Sequence, residues 1–131
     1  MNDIEVKAGL AQTPGYRYAK LVGDQLHVAG QVPQDSLGKI VGISDPHAQA
    51  AQCLANLQLL LSCHNFVEED IQHLRVYVVG PRQNLISAWQ AVQDHFSHQI
   101  PPSTLLGVAQ LGYEGQLVEI DATIAKGGRP A

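Results

Sequence analysis

The strongest pattern in the chain is a helical repeat of apolar residues in its middle third. Ser44 or Asp45 can cap a helix here, and Pro46 suits the first helical position. Apolar side chains then recur at helical spacing until the repeat ends at Asn65. They are Ala50, Leu54, Leu57 and Leu61. The spacing predicts a helix that buries one face.

A second repeat covers residues 83–96, after a break at Gly80-Pro81 and before a stop at Pro101-Pro102. Its apolar face consists of Leu85, Ala88, Trp89, Val92 and Phe96. This arrangement is typical of an amphipathic helix packed on a core. The chain therefore predicts two helices, with an acidic turn at residues 68–70 between them.

Strands are predicted where apolar and polar residues alternate. A hairpin is expected over Leu21–Ala29, with its turn at residues 22–25. Three longer strands are expected over Leu74–Val79, Ser103–Leu111 and Gln116–Ala125. The pattern also admits short strands at Ile4–Lys7 and Lys39–Val41. The order ββ-α-β-α-ββ predicts an α/β (α+β) fold in which both helices cover one face of a sheet.

The other face of this sheet has no cover within the chain. On the last strand, one set of alternate residues suits the helix side: Val118, Ile120, Ala122 and Ile124. The opposite set mixes apolar, small and acidic residues: Leu117, Glu119, Asp121, Thr123 and Ala125. A semi-apolar open face is typical of an oligomer interface. Glu119, and Arg75 on another strand, are therefore candidates for a site shared between subunits.

The charge balance disfavours two classes of partner. Eight basic and 12 acidic residues give a net charge of −4. A nucleic-acid-binding protein needs a basic patch, and a protein held on anionic lipid needs a polybasic segment. We therefore expect neither nucleic acid nor a membrane as a partner. The length of 131 residues suits a single domain over residues 1–131.

Targeting signals and disulfides are not expected. Residues 1–11 have no apolar run, and no stretch approaches the ~20 apolar residues of a membrane span. Cys53 and Cys63 lie in one predicted helix, about 15 Å apart along its axis, which is too far for a disulfide. Two reduced thiols favour a cytoplasmic location. We interpret both as core or interface residues.

Three segments with matching spacing resemble the RidA/YjgF family. They are VAGQVP at residues 28–33, QA followed by LANL at residues 49–57, and VAQL followed by LVEIDA at residues 108–122. The resemblance extends from about Tyr16 to Ala125. It implies a fold like that of Bacillus-type chorismate mutase and a homotrimer whose strands form a central barrel. Its sites would lie in clefts between subunits, which supplies the cover that the open face lacks.

The resemblance also implies an activity. Active members of this family hydrolyse reactive imines and enamines, such as 2-imino acids, and release ammonia. In these members an arginine binds the substrate carboxylate, while a glutamate, a tyrosine and a loop glycine help to form the site. The last three fall on Glu119, Tyr16 and Gly30. We take Glu119 and Tyr16 as catalytic candidates and expect neither a metal nor an organic cofactor.

The arginine itself is missing. The family pattern Pro-x-Arg-Ser falls on residues 101–104, which places Ser103 at the arginine position. A neutral hydroxyl replaces a bidentate cation there, and the loss weakens carboxylate binding about ten- to a hundredfold. The cysteine and asparagine often found nearby are replaced by Leu105 and Trp89.

Other residues can take over ligand binding. Ser103 and Thr104 can hydrogen-bond a substrate oxygen, or they can cap the end of a strand. Arg17 and Arg75 are the alternative cations, and Trp89 is expected at the pocket. All five are predicted substrate-binding residues, together with Gly30.

His95 and His98 are spaced i, i+3, which allows two ligands on one helix face. A third ligand at matching spacing is missing from the sequence. We therefore interpret both histidines as polar residues at a helix C-terminus, where positive charge is favoured.

Two functions stay open. The first is a hydrolase that acts on a reactive imine, enamine or related C=N metabolite, with water positioned by Glu119 in a cleft between subunits. The second is a non-catalytic protein that binds or senses a small metabolite, which Ser103 in place of arginine favours. RNA cleavage, sometimes attributed to this family, is disfavoured by the negative charge.

Overall fold

A computed structural model describes residues 2–97 and 99–127. Its regular structure consists of two long helices and a five-stranded sheet, preceded by one short helix. The helices are α1 (Asp3–Lys7), α2 (Pro46–Cys63) and α3 (Arg82–Phe96), and a 3-10 turn covers Glu68–Asp70. The strands are β1 (Ala19–Val22), β2 (Gln25–Val28), β3 (Ile71–Val79), β4 (Ser103–Val108) and β5 (Val118–Ala125).

The sheet has the strand order β1-β2-β5-β3-β4. Strands β3 and β4 are parallel and are connected through α3, whereas the other neighbours are antiparallel. Helices α2 and α3 pack on one face, as predicted. The core between helices and sheet takes alternate residues from β3 and β5: Leu74, Val76, Val78, Val118, Ile120 and Ile124.

Helix α2 begins at the predicted cap. The Asp45 carboxylate accepts a hydrogen bond from the backbone N–H of Ala48 at 3.0 Å, and Pro46 occupies the first position. Ser44 instead has a left-handed backbone with φ of 62°. Asp45 is therefore the cap. The predicted apolar face of α2 is buried in the core.

Two short segments predicted as strands are not strands. Ile4–Lys7 lies within α1, which packs against α2 and buries the side chain of Glu5. Residues 39–41 do not form a strand, and Ile40 pairs with Gln34 in an isolated β-bridge. Both segments are so short that a two-residue alternation cannot be distinguished from one helical turn or a loop.

Strand β4 ends at Val108 instead of Leu111, and β5 begins at Val118 instead of Gln116, where α2 holds the end of the loop between them. The buried side chain of Gln49 accepts a hydrogen bond from the Leu117 N–H at 2.7 Å and donates one to the Gly115 carbonyl at 2.9 Å. The main chain of this loop therefore bonds to a helix side chain instead of extending the sheet. This contact fixes the loop at Gly115 and Leu117, directly before β5.

The face opposite the helices carries a polar network. Arg75 Nε lies 2.5 Å from Asp121 Oδ1, and Arg75 Nη1 donates to Thr123 Oγ1 at 3.2 Å. The Tyr77 hydroxyl donates to Asp121 Oδ2 at 3.1 Å. Arg75, Tyr77 and Asp121 are half-buried although neither long helix covers them.

Within the described residues, no helix combines the length and apolar character needed to cross a membrane. Cys53 and Cys63 are both free thiols, as the sequence predicted. Cys53 lies in the core, and burial raises the pKa of its thiol well above the ordinary value. A thiol that is hard to ionise is a poor nucleophile.

Candidate functional site

Glu119 lies on β5 with its side chain on the open face of the sheet. Its Cα partner on β3 is Tyr77, and its chain neighbours Val118 and Ile120 are fully buried on the helix side. Alternation along the strand therefore turns the Glu119 carboxylate away from the core. The residue is still half-buried, because the loop that follows β2 packs against it.

This loop brings Gly30 into contact with Glu119. Gln31 and Ile120 exchange two backbone hydrogen bonds, of 2.7 and 3.1 Å, which fix the loop beside β5. A Cβ atom built on Gly30 would lie 2.2 Å from Glu119 Oε2, well inside van der Waals contact. A side chain at this position would therefore have to displace the Glu119 carboxylate.

A buried glutamine holds the other oxygen of the same carboxylate. Gln116 Nε2 donates to Glu119 Oε1 at 3.1 Å and to the Val118 carbonyl at 3.0 Å. Gln116 Oε1 accepts from the Tyr113 backbone N–H at 3.2 Å. The sequence analysis missed this residue, because a glutamine just before a strand shows no sign of being buried. It ties the carboxylate to the loop that carries Tyr113.

Tyr16 lies at the opening of the same region and is 39% exposed. Partial burial, and then the nearby hydroxyl of Tyr113, raise the pKa of Tyr16 above its ordinary value. Its phenol is therefore neutral at pH 7 and can donate a hydrogen bond. Tyr18 has a different role, since it is buried and its hydroxyl donates to the Ala11 carbonyl at 2.6 Å.

The side chain of Asn2 fixes the backbone around Tyr16. Asn2 Nδ2 donates to Thr13 Oγ1 at 2.9 Å and to the Tyr16 carbonyl at 3.0 Å. Asn2 Oδ1 accepts from the Tyr18 N–H at 3.0 Å, and the Thr13 hydroxyl also donates to the Tyr16 carbonyl. Sequence reasoning did not single out Asn2, because a polar residue near a terminus is ordinarily solvated.

Glu119 and Tyr16 line an open cleft of about 400 Å³. Its lining consists of Pro14, Tyr16, Ala29, Gly30, Val32, Gly112, Tyr113 and Glu119. A carboxylate, two phenols and apolar walls can bind a small polar molecule and activate a water beside it. Three of the predicted site residues, Glu119, Tyr16 and Gly30, therefore meet in one place.

Ser103 and Thr104 lie elsewhere in the subunit. Ser103 pairs with Leu74 on β3, whereas Glu119 pairs with Tyr77, three residues further along that strand. This offset is about 10 Å along β3, and β4 and β5 flank β3 on opposite sides. The Cα atoms of Ser103 and Glu119 are therefore roughly 14 Å apart.

The two side chains at the start of β4 also have local partners. The Ser103 hydroxyl donates to the Pro101 carbonyl at 2.7 Å, and Thr104 Oγ1 lies 2.9 Å from His73 Nε2. Strand β4 is at one edge of the sheet, so one side of it has no strand partner within the described residues. A role for either residue in binding substrate stays a prediction.

The alternative cations and Trp89 are likewise outside this cleft. Arg75 is paired with Asp121 and lines a separate cavity of about 200 Å³. Arg17 is exposed beside Tyr16, and Trp89 on α3 packs against the core. Their roles in binding substrate stay predictions.

Of the two histidines considered as metal ligands, His95 has a carboxylate partner. His95 Nε2 lies 2.6 Å from Glu68 Oε1, so its side chain is engaged in a carboxylate contact. His98 lies outside the described residues. Among the described residues, potential metal ligands gather instead at Glu5, Cys63 and His64.

Comparisons with known proteins match this architecture. The sequence profile of the family described as Endoribonuclease L-PSP matches residues 7–126. No curated protein sequence gives a significant match.

Solved structures of three proteins superpose over most of the chain. A protein of unknown function from Pseudomonas aeruginosa is 28% identical, with a TM-score of 0.74 over 88% of this chain and 86% of that chain. The YjgF gene product of E. coli is 22% identical, with a TM-score of 0.79 over 92% and 94%. RidA from the Antarctic bacterium Psychrobacter sp. is 21% identical, with a TM-score of 0.78 over 90% and 94%.

Proposed function

The chain belongs to the Endoribonuclease L-PSP family, that of the YjgF and RidA proteins, and on this premise we propose that it hydrolyses a reactive imine, enamine or related C=N metabolite. The observation that carries the proposal is the Glu119 carboxylate in the cleft. Gln116 fixes one of its oxygens, while Oε2 accepts no hydrogen bond from the described residues. A carboxylate held in this way can accept a proton from water.

The reaction needs a base and then an acid at one place. Glu119 takes a proton from water as the new C–O bond forms, the C=N electron pair moves to nitrogen, and Glu119 passes this proton to the nitrogen. In the resulting carbinolamine, Glu119 takes the proton of the hydroxyl as the carbonyl forms and the C–N bond breaks. Glu119 gives this second proton to the leaving nitrogen, which departs as ammonia. An enamine enters the same route after protonation on carbon.

Tyr16 and Tyr113 suit the binding of the ligand. The raised pKa of Tyr16 keeps its phenol protonated, so that it donates to an acceptor on the ligand instead of acting as a base. Glu119 is the one carboxylate among the described residues that line the cleft. The roles of donor and base are therefore divided between Tyr16 and Glu119.

The proposal includes a homotrimer in which a second chain completes each cleft. The half-buried network around Arg75 and Asp121 lies on a sheet face that neither long helix covers. Ser103 and Glu119 of one chain are too far apart to hold one small ligand. If both bind the same ligand, a second copy brings its β4 edge to the cleft. Sedimentation at micromolar concentration should give about three times 14.1 kDa. A monomer would contradict this assembly.

The missing arginine points to a substrate that does not depend on a carboxylate handle. Ser103 offers a neutral hydroxyl, and the charge of Arg75 is already balanced by Asp121. A 2-imino acid would therefore bind weakly in this cleft. Serine in place of arginine at position 103 does not weaken the binding of imines that lack a carboxylate.

Ammonia release from a series of imines tests the proposal. The imines are generated in situ by an oxidase and range from 2-iminopropanoate to compounds without a carboxylate. We expect acceleration of at least one uncharged imine, and weak or no acceleration of 2-iminopropanoate. Tyr16→Phe should raise KM more than it lowers kcat. Glu114→Gln is the control and should leave KM and kcat unchanged. Glu114 is an exposed carboxylate in the loop that carries Tyr113, outside the cleft lining.

Ser103 also favours a second candidate function, in which the cleft binds a metabolite without converting it. Calorimetry would then show binding of an imine analogue or keto acid, while ammonia release would stay at the uncatalysed rate for every imine tested. The first proposal requires acceleration, so the two functions predict opposite outcomes of the same assay.

A further inference from the structure

Outside the cleft, one carboxylate, one thiol and one imidazole come together at Glu5, Cys63 and His64. One ligand atom from each residue lies within 4.8 Å of the other two. We refer to these three residues as the Glu5 cluster. The reaction proposed above uses none of them.

The fold holds these three side chains in place. Glu5 lies on α1, with its side chain 7% exposed, and its Oε2 is 2.6 Å from His64 Nε2. Cys63 is the last residue of α2, and His64 follows as the C-cap with φ of −107°. The backbone leaves the helical path at His64, so two consecutive side chains both reach Glu5.

A structural ion pair does not account for the whole cluster. His95 and Glu68 form a pair with the same 2.6 Å separation, but the Glu68 side chain is 35% exposed. No thiol or other ligand joins this second pair among the described residues. The Glu5 cluster differs by its deep carboxylate and by the adjacent sulfur of Cys63.

We propose that the Glu5 cluster binds a transition-metal ion, and that Zn²⁺ is the ion that its donors fit best. Thiolate, imidazole and carboxylate are zinc ligands, whereas Mg²⁺ and Ca²⁺ take oxygen ligands. Three protein ligands leave the fourth tetrahedral position for water. On binding, the Cys63 thiol releases its proton to solvent. The proton shared by His64 Nε2 and Glu5 Oε2 moves to His64 Nδ1 or to solvent, and two bonds to the metal replace this contact.

Such an ion would connect the N-terminal segment to the end of α2. Helix α1 directly follows Asn2, whose side chain holds the backbone of Tyr16 and Tyr18. Metal binding should therefore slow hydrogen exchange of the Tyr18 N–H, which donates to Asn2. The inference does not rest on the proposed reaction, because all its readouts are of binding.

The experiment adds Co²⁺ or Zn²⁺ alone to the full chain after chelation and under reducing conditions. Co²⁺ should give a sulfur-to-metal charge-transfer band, and Zn²⁺ should remove this band and raise the thermal midpoint. Cys63→Ser should abolish the band. Glu5→Gln and His64→Gln should each weaken Zn²⁺ binding at least about tenfold, since even the removal of an outer partner has that effect. His95→Gln is the matched control and should bind like the parent.

Binding of one Zn²⁺ per chain that is lost in Cys63→Ser and kept in His95→Gln supports the site. A charge-transfer band that persists in Cys63→Ser overturns it, as does a parent chain that binds no Zn²⁺ at micromolar concentration. Circular dichroism checks the fold of each variant. If Glu5→Gln does not fold, the near-isosteric Cys63→Ser still decides the outcome.

Discussion

The carboxylate of Glu119 occupies the space that a side chain on Gly30 would need. A Cβ there would lie 2.2 Å from Oε2 and 2.8 Å from Cδ. The backbone pairing of Gln31 with Ile120 keeps the Gly30 loop beside β5. The position of the proposed base thus depends on a glycine almost 90 residues earlier in the chain.

Gly30→Ala should displace this carboxylate and slow turnover. The atoms that the new methyl meets belong to the end of a flexible side chain, so the fold should persist with little change in thermal midpoint. A misplacement of about 1 Å costs about 100-fold in rate, and we expect a loss of kcat/KM of that order. Gly127→Ala is the control, because this exposed glycine lies outside β4 and the cleft, and its added methyl meets no atom closer than 3.5 Å. Equal kcat/KM for parent and Gly30→Ala would contradict the arrangement.

Gln116→Leu should lower both stability and rate. It leaves Glu119 Oε1 and the Tyr113 N–H without their partner, at a cost of about 1–3 kcal/mol in the free energy of unfolding. The rate should fall because the carboxylate is no longer fixed. Denaturant unfolding and kcat/KM measure the two effects. Gln110→Leu, at an exposed glutamine of the same loop, should change neither stability nor rate. Equal changes in both variants would contradict the role assigned to Gln116.

The stability of the fold should fall in alkaline solution through Tyr18. Burial raises the pKa of Tyr18 to about 12, above the ordinary value of about 10. The folded chain then binds more protons than the unfolded chain between these values, so the free energy of unfolding falls as pH rises from about 10 to 12.

Tyr18→Phe provides the measurement. At pH 7 it should cost about 1 kcal/mol, through the lost hydrogen bond to the Ala11 carbonyl. The difference in unfolding free energy between parent and variant should shrink above about pH 10, because only the parent has this group to ionise. Urea unfolding across this range checks the trend. If the difference in unfolding free energy stays constant, Tyr18 does not cause the loss of stability at alkaline pH.

Ser103→Arg should raise the hydrolysis of 2-iminopropanoate, mainly through a lower KM. The variant restores a planar cation at the edge strand β4, where the proposed second subunit reaches the cleft. Ser103→Lys carries the positive charge without a planar guanidinium group, so its hydrolysis of 2-iminopropanoate should rise less. Adding Glu119→Ala to Ser103→Arg should abolish the gain. A folded trimer of Ser103→Arg that is no faster than the parent would mean that the cleft is built for another ligand.

The long elements were predictable because their periods are visible in the sequence. Helix α2 has an N-cap at Asp45 and an apolar repeat, and β5 alternates over its whole length. The five residues of α1 are too few to show a period, so a strand was expected there. The start of β5 depends on Gln49, whose contact with the loop joins distant segments that no local pattern reveals.

The site was predictable only in part. Alternation along β5 and the family resemblance both singled out Glu119, and the resemblance added Tyr16 and Gly30. Gln116 and Asn2 were missed, since the burial of a polar side chain is decided by tertiary packing. The pairing of Arg75 with Asp121 follows from the register of β3 and β5, which sequence spacing alone does not fix.

The most direct test of the proposed function is kcat/KM for imine hydrolysis by parent and Glu119→Gln, on the imine that the parent hydrolyses fastest. Both proteins must first be shown to have the same oligomeric state. The amide keeps the size of the side chain but cannot accept a proton from water. The account predicts a decrease of about 100- to 10,000-fold. An unchanged kcat/KM in Glu119→Gln would contradict it.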